Sequence, residues 1–288
     1  ASLEYSLVAA NTVVTDSDAA ADAAAGTTTA LTTGVDTLTG TVGINTVVGM
    51  LSGALGTGST VQPGDSVSGG AGEDSLTVNI TGSGGGAFTL SSVTTDGVET
   101  INISNYDTNA GDTTVDMASM VGVETVDMTG SSATGDTILT NVLNIVKLGA
   151  KGAADLTATY GTAVVAGTTD TQEVTVDTYT GTVLLTEIET VSLVASGSAS
   201  TVADLDTDSG TQDATTLNIS GDANLTITAD LITSSSALTA VDGSAATGNL
   251  TLTTSDAGTL SVKLGAGDDT LVRNANLATD IYDAGEGT

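Results

Sequence analysis

Hydrophobic and polar positions alternate with a period of two through most of this chain. SLTVNITG, ETINIS, ETVDMTG, TVLLTEIETVSLV, TTLNISG, NLTITA, NLTLTT and TLSVKLG each set Thr, Asn or Ser between Val, Ile or Leu. That alternation is the mark of strands with one buried face. From Thr215 onward it recurs closely, at Leu217 and Ile219, Leu225 and Ile227, Leu238 and Val241, Leu250 and Leu252, Leu260 and Val262, then Leu271. Steps of about eight to fourteen residues, separated by Gly, Asp, Asn or Ser, suit hairpins or the coils of a β-solenoid. The nonapeptide spacing discriminates between them. Gly34, Asp36 and Leu38 are followed nine residues later by Gly43, Asn45 and Val47, and Asp65 and Val67 are followed nine later by Asp74 and Leu76. A fixed step carrying glycine, acid and aliphatic in one order predicts half-coils that stack, glycine on the turn and the aliphatic residue inward. Hairpins have no reason to keep that step. The predicted fold is all-β, a parallel β-solenoid or β-roll.

The pattern divides the chain into four segments. Residues 1–26 form an N-terminal strand and linker: SLEYSLVAANTVV alternates and is apolar, which suits a strand given to or taken from a neighbour. In TDSDAAADAAAGTTTA, residues 15–30, a linker and a short helix around Asp18 to Ala25 both fit. Residues 27–80 carry the nine-residue echoes, residues 81–200 form a β-rich solenoid segment, and residues 201–288 form a second solenoid segment with its own glycine-rich turn. GVETINIS, GVETVDMT and EIETVSLV repeat the order aliphatic-Glu-Thr-aliphatic-x-aliphatic. They read as strands with Ile101 and Ile103, Val126 and Met128, or Val191 and Leu193 buried and Glu99, Glu124 and Glu189 in solvent; ligation by these glutamates is the other reading.

Composition narrows the chemistry. Aromatics make up 2% of the 288 residues, with five Tyr, one Phe and no Trp, so the interior is expected to be thin and lined by small branched side chains. Four cations, Lys147, Lys151, Lys263 and Arg273, face 35 acids for a net charge of −31. That balance argues against nucleic acid, whose recognition rests on Lys and Arg, and against anionic membrane surfaces. Acids in such excess repel one another in a compact state, so they spread into solvent or collect metal. Cysteine and histidine are both absent, which removes disulfides, thiolate chemistry and a Ser-His-Asp arrangement. An enzyme is not expected: a β-helical lyase or hydrolase using paired acids would lack the aromatics and basic residues for its sugar. No apolar run approaches the roughly 18 residues of a membrane helix, and no charged-then-apolar signal peptide opens the chain. Since Ala1 is not an initiator methionine, the chain is expected to be a processed or trimmed piece of something longer.

The sharpest motif is GGAGEDSLT, residues 69–77, which fits G-G-x-G-x-D-x-U-x, with U aliphatic, at Gly69, Gly70, Gly72, Asp74 and Leu76. LGAGDDTLV keeps Gly265, Gly267, Asp269 and Leu271, with Leu264 where the first glycine belongs. These turns resemble the RTX nonapeptide. The resemblance implies a parallel β-roll with Ca²⁺ between turns, held by backbone carbonyls and the Asp carboxylate. Calcium takes about six to eight oxygens, so carbonyls must point inward at a sharp turn, and glycine permits that geometry. The residues implied are Gly69, Gly70, Gly72 and Asp74, then Gly265, Gly267 and Asp269, with Asp36, Asn45 and Asp65 as echoes. DLDTDSG alternates carboxylates at Asp204, Asp206 and Asp208 as a calcium loop does. Its glycine falls one place late for an EF-hand and position twelve is Thr215, so calcium loop and solvated acidic loop both stand. Asn45 replaces Asp, Pro63 stands where a turn would need glycine, and no uninterrupted tandem array exists, which points to a few calcium sites. DAGEGT, residues 283–288, looks like the opening of another repeat.

Taken whole, residues 27–288 resemble the Thr, Ala, Gly and Val rich, RTX-containing S-layer proteins of Gram-negative bacteria, the RsaA-like type. LTTGVDTLTG, GGAGEDSLTV, the GVET strands and TTLNISGDANLTITA running into LGAGDDTLV carry the resemblance. It implies type I secretion of an unfolded chain, folding on external calcium and an extracellular, cell-surface location. It also implies self-association into a lattice or filament, with cell-surface polysaccharide as a second partner. The expected function is structural, in a surface layer or extracellular matrix; the alternative is the RTX repeat module of a large secreted adhesin.

Overall fold

Alternation decides which side chains turn inward. In strand Ser75–Gly82 the inward positions Leu76, Val78 and Ile80 are buried, while Ser75, Thr77 and Asn79 between them are half-exposed. The computed structural model describes residues 13–15, 26–52, 58–82, 87–108, 111–207, 213–255, 259–273 and 280–287. Almost all of the regular structure is β, and every recorded strand pair is parallel, so the chain is a parallel β-solenoid.

One face is a 12-stranded sheet running in chain order from Thr27–Ala30 to Ile281–Asp283 without a break. The opposite side is divided among three sheets. A four-stranded sheet joins Val13–Thr15, Thr37–Thr39, Ser66–Ser68 and Thr94–Asp96. A six-stranded sheet begins with Phe88–Leu90 and ends with Asp204–Asp206, and a second four-stranded sheet begins with Ser200–Val202 and ends with Thr270–Arg273. The coil holding Phe88–Leu90 and Thr94–Asp96 contributes to two of these sheets, and so does the coil holding Ser200–Val202 and Asp204–Asp206. The one helical turn among the described residues, Leu231–Ser234, is capped by the Asp230 carboxylate, which accepts from the Ile232 amide.

The core is a set of stacked aliphatic ladders. Val47, Leu76, Ile101, Val126, Leu148, Val174, Leu193 and Ile219 lie in register on successive rungs, all buried. Burial of each such side chain contributes about 1.5–3 kcal/mol. The expectation of a thin interior of branched residues agrees with this core, to which Tyr160 and Tyr179 are the aromatic additions. Burial pushes both phenols well above their ordinary pKa. Their hydroxyls donate to Gln172 Oε1 and to the Thr182 carbonyl.

The nine-residue step carries the chain from one face to another. Thr37–Thr39 and Asn45–Ser52 belong to different sheets, whereas the stacked neighbours of Asp36 and Asn45 are Asp65 and Asp74, each 29 residues on. The exchanged strand expected in residues 1–14 falls mostly outside the described residues; Val13–Thr15 pairs in parallel with Thr37–Thr39 of the same chain. The stretch around Asp18 to Ala25 is also outside the described residues. Among the described residues no helix is long and apolar enough to cross a membrane.

Candidate cation-binding corners

A recurring dipeptide sets the corners: an acid followed by Thr or Ser at the start of a strand, as at Asp36, Asp65, Asp74, Glu99, Asp170 and Glu189. Where the chain bends, the parallel ladder leaves amides to be satisfied, and buried amides need partners. Carboxylates on adjacent coils supply them. The Asp36 amide donates to Asp65 Oδ1 at 2.9 Å, the Asn45 amide to Asp74 Oδ1 at 2.6 Å and the Asp74 amide to Glu99 Oε2 at 2.7 Å. Farther along, the Asp170 amide donates to Glu189 Oε2 at 2.8 Å, and the Thr182 amide to Asp155 Oδ1 at 2.6 Å. Much of the acidity is therefore built into the corners.

The first nonapeptide places Gly69, Gly70, Gly72, Asp74 and Asn45 together. A Cβ on Gly69 would lie 1.7 Å from the Gly97 carbonyl oxygen and 2.6 Å from Asp74 Oδ2, so only glycine fits between those two oxygens. Gly70 and Gly72 adopt φ of +98° and +139°, open to glycine at little cost. Asn45 stacks on Asp74 and turns its amide nitrogen into a shell of oxygens: Gly43 O at 2.7 Å, Gly69 O and Asp74 Oδ1 at 3.0 Å, and Thr41 O at 3.5 Å. The amide thus stands where an oxygen cage would otherwise call for a cation. One coil on, the equivalent position is Asp74 itself, which has no N–H in its side chain. Asp74 is 1% exposed, and its Oδ2 is buried and accepts no hydrogen bond.

The other expected residues fare differently. Asp269 Oδ1 accepts from the Leu250 amide at 2.8 Å and Oδ2 from the Gly265 amide at 3.0 Å, while Gly265 and Gly267 pack on the carbonyls of Ala246 and Gly248. Asp36 and Asp65 meet before strands of the first four-stranded sheet, away from Asn45 and Asp74, and each has both oxygens paired. Asp36 takes the Thr32 amide and hydroxyl; Asp65 takes the Asp36 amide and, at 2.7 Å, the Gln62 amide. Burial pushes the Asp65 carboxyl above its ordinary value despite those amides, and the neighbouring charge of Asp36 adds to the shift. Asp204 and Asp206 lie on strand Asp204–Asp206 either side of buried Leu205, and Asp204 accepts the Ser234 hydroxyl. DLDTDSG is strand through Asp206 because Leu205 enters the core; Asp208 lies outside the described residues. Among these three glutamates only Glu124 is exposed, Glu99 is half-buried and Glu189 is buried. The sequence reading missed Asp170; its signal is the same acid-then-Thr step at a strand start.

Among the described residues no three or more acidic side chains converge, so a cation at these corners would draw mainly on peptide carbonyls. Away from the corners, a groove of about 450 Å³ on the 12-stranded sheet opens beside Gly149, lined among others by Asp127, Lys147, Lys151, Glu173 and Asp177. Lys147 pairs with Glu173 at 3.5 Å and Lys151 with Asp177 at 2.7 Å. Burial raises the Asp127 carboxyl, ahead of the opposing pull of Lys151. Comparison with protein-family models, curated proteins and solved structures gave no match to this chain.

Proposed function

We propose that this chain is a structural, calcium-dependent, self-assembling subunit of a cell-surface layer or extracellular matrix. The observation that carries the reading is Asp74 Oδ2, a buried carboxylate oxygen that accepts no hydrogen bond and crowds Gly69 together with the Gly97 carbonyl oxygen. A buried acceptor left without a partner costs about 1–3 kcal/mol, and more when it is charged. A hard divalent cation removes that cost. Asp74 and carbonyls of the glycine turn would hold it, and when bound it supplies the positive charge that fixes the turn. Without calcium, the net charge of −31 favours an extended chain, which suits secretion in the unfolded state to the cell exterior.

Assembly is the second part of the reading. Thr27–Ala30 and Ile281–Asp283 are the outer strands of the 12-stranded sheet among the described residues, and each has a neighbour on one side. Ile281 is 63% exposed there, and Leu271 and Tyr282 of the last coil are only partly buried. Edges of this kind offer backbone groups for pairing with another chain. The groove beside Gly149, with its hydroxyl, ammonium and carboxylate groups, supplies hydrogen-bonding chemistry for a cell-surface polysaccharide.

The test is circular dichroism and light scattering on one sample titrated from chelator into millimolar Ca²⁺, with Mg²⁺ as control, on the native chain and on Asp74→Asn. A calcium-specific gain of β signal followed by particle growth, both weakened in Asp74→Asn, is the expected result. Folding without growth would replace self-assembly with the adhesin-module reading. No response to calcium would overturn the proposal.

A further inference from the structure

Outside both nonapeptides, Asp170 and Glu189 occupy successive rungs at the corner before strands Thr171–Tyr179 and Thr190–Ala195. The backbone holds them together: the Asp170 amide donates to Glu189 Oε2 at 2.8 Å, and the Thr190 amide donates to the Asp170 carbonyl at 3.0 Å. Glu189 is 6% exposed. Its Oε1 and the Oδ2 of Asp170 are both buried and accept no hydrogen bond. Two carboxylates on adjacent rungs, each with one buried oxygen unpaired, repel each other unless positive charge lies between them. The chain's own four cations are engaged elsewhere: Lys147 with Glu173, Lys151 with Asp177, Lys263 in the field of Asp242, and Arg273 over the Tyr282 ring.

We infer that Asp170 and Glu189 form a divalent-cation site, selective for Ca²⁺ over Mg²⁺. Calcium accepts an irregular set of carboxylate and carbonyl oxygens, whereas Mg²⁺ demands near-octahedral geometry and keeps several of its waters, which a buried corner does not accommodate. The site needs no glycine-rich repeat and does not rest on the nonapeptide reading. Its signature is two acid-then-Thr steps, Asp170 with Thr171 and Glu189 with Thr190, 19 residues apart.

The chain provides its own reporter. It contains no Trp, and Tyr160 donates its hydroxyl to Gln172, two residues after Asp170 in the chain. Terbium, a luminescent substitute for calcium, is added to the full chain, to Asp74→Asn, to Glu189→Gln and to Asp170→Asn, with circular dichroism confirming the fold of each. The expected result is tyrosine-sensitised emission that Ca²⁺ displaces and Mg²⁺ does not, retained in Asp74→Asn and lost in both corner variants. Calorimetric counting with Ca²⁺ then gives one ion fewer per chain for each corner variant. Emission and ion count unchanged in folded Glu189→Gln and Asp170→Asn would overturn the inference and leave the Asp74 proposal untouched. If Glu189→Gln does not fold, the ion count of Asp170→Asn decides. Loss of binding in Asp74→Asn alone would support the nonapeptide site and defeat this one.

Discussion

The two glycine-rich turns share one motif and differ in what they leave unpaired. At GGAGEDSLT, Asp74 takes both Asn45 donors on one oxygen and none on the other. At LGAGDDTLV, Asp269 is half-buried and takes one amide on each oxygen. The difference lies in the residue that opens each motif and in the neighbouring rungs. Leu264, in place of the first glycine, turns into the core, and the amide that follows it, Gly265, reaches Asp269. In the first turn the equivalent position is Gly70, held at a φ of +98°, and no amide reaches Asp74 Oδ2; the Gly69 and Ala71 amides on either side pair with the Asp96 and Thr41 carbonyls. A motif locates a bend; the rungs above and below decide whether both oxygens of its carboxylate find a donor.

The sharpest way to break the comparison is to truncate both acids. In saturating Ca²⁺, Asp74→Ala is expected to lose about 2–5 kcal/mol in urea unfolding, because a bound ion and a buried acceptor go together. In chelator its loss is smaller, since the unpaired oxygen is removed as well. Asp269→Ala is expected to lose about 1–2 kcal/mol, equally in calcium and chelator, because the Leu250 and Gly265 amides lose their acceptor and no ion goes with it. Equal calcium dependence in the two variants would erase the distinction.

Asn45→Asp tests the same distinction by adding charge. Replacing the amide nitrogen by oxygen sets a second carboxylate among Gly43 O, Gly69 O and Asp74 Oδ1. The expected loss in chelator is about 1–3 kcal/mol, recovered on adding Ca²⁺. A variant as stable as the native chain in chelator would show that Asn45 does not stand in for a cation.

Acid titration sharpens the picture near the first turn. Asp65 has its folded pKa raised above 3.8, chiefly by burial. Between the ordinary and the raised value the folded chain binds more protons than the unfolded one, so this group's contribution to stability falls as pH rises through that window. Carboxyl NMR should place the Asp65 midpoint above the ordinary value; a midpoint at or below it would remove burial as the dominant cause. Asp177 is the opposite case and the smallest effect. Lys151 and the Ser198 amide hold its carboxyl at about 2, giving a contribution present above 3.8 and lost as pH falls toward 2. The pair is largely exposed and screened by solvent, so Lys151→Met should return the Asp177 midpoint toward 3.8 with little change in urea unfolding.

Alternation made the solenoid legible from residues alone, because Leu76, Ile101 and Val126 must leave the solvent whatever their partners are. The turns were legible too, since Gly69 and Gly70 adopt geometries other residues resist. What escaped was satisfaction. Asn45 donates where a ligand was expected, and Asp269 is closed by a local amide. Asp170 matters because its partner is Glu189. Stacked corner partners lie 19 to 29 residues apart, with coil lengths that vary from rung to rung, so no fixed window displays them.

The division of faces has a mechanical consequence. One side of the solenoid is a single hydrogen-bonded web from Thr27 to Asp283, while the other is jointed at the coils that hold Thr94–Asp96 and Ser200–Val202. Load along the stack is therefore carried on one side by an unbroken web, and on the other it passes from sheet to sheet through single bridging residues, Thr95 and Ala203, which pair with the coils on either side.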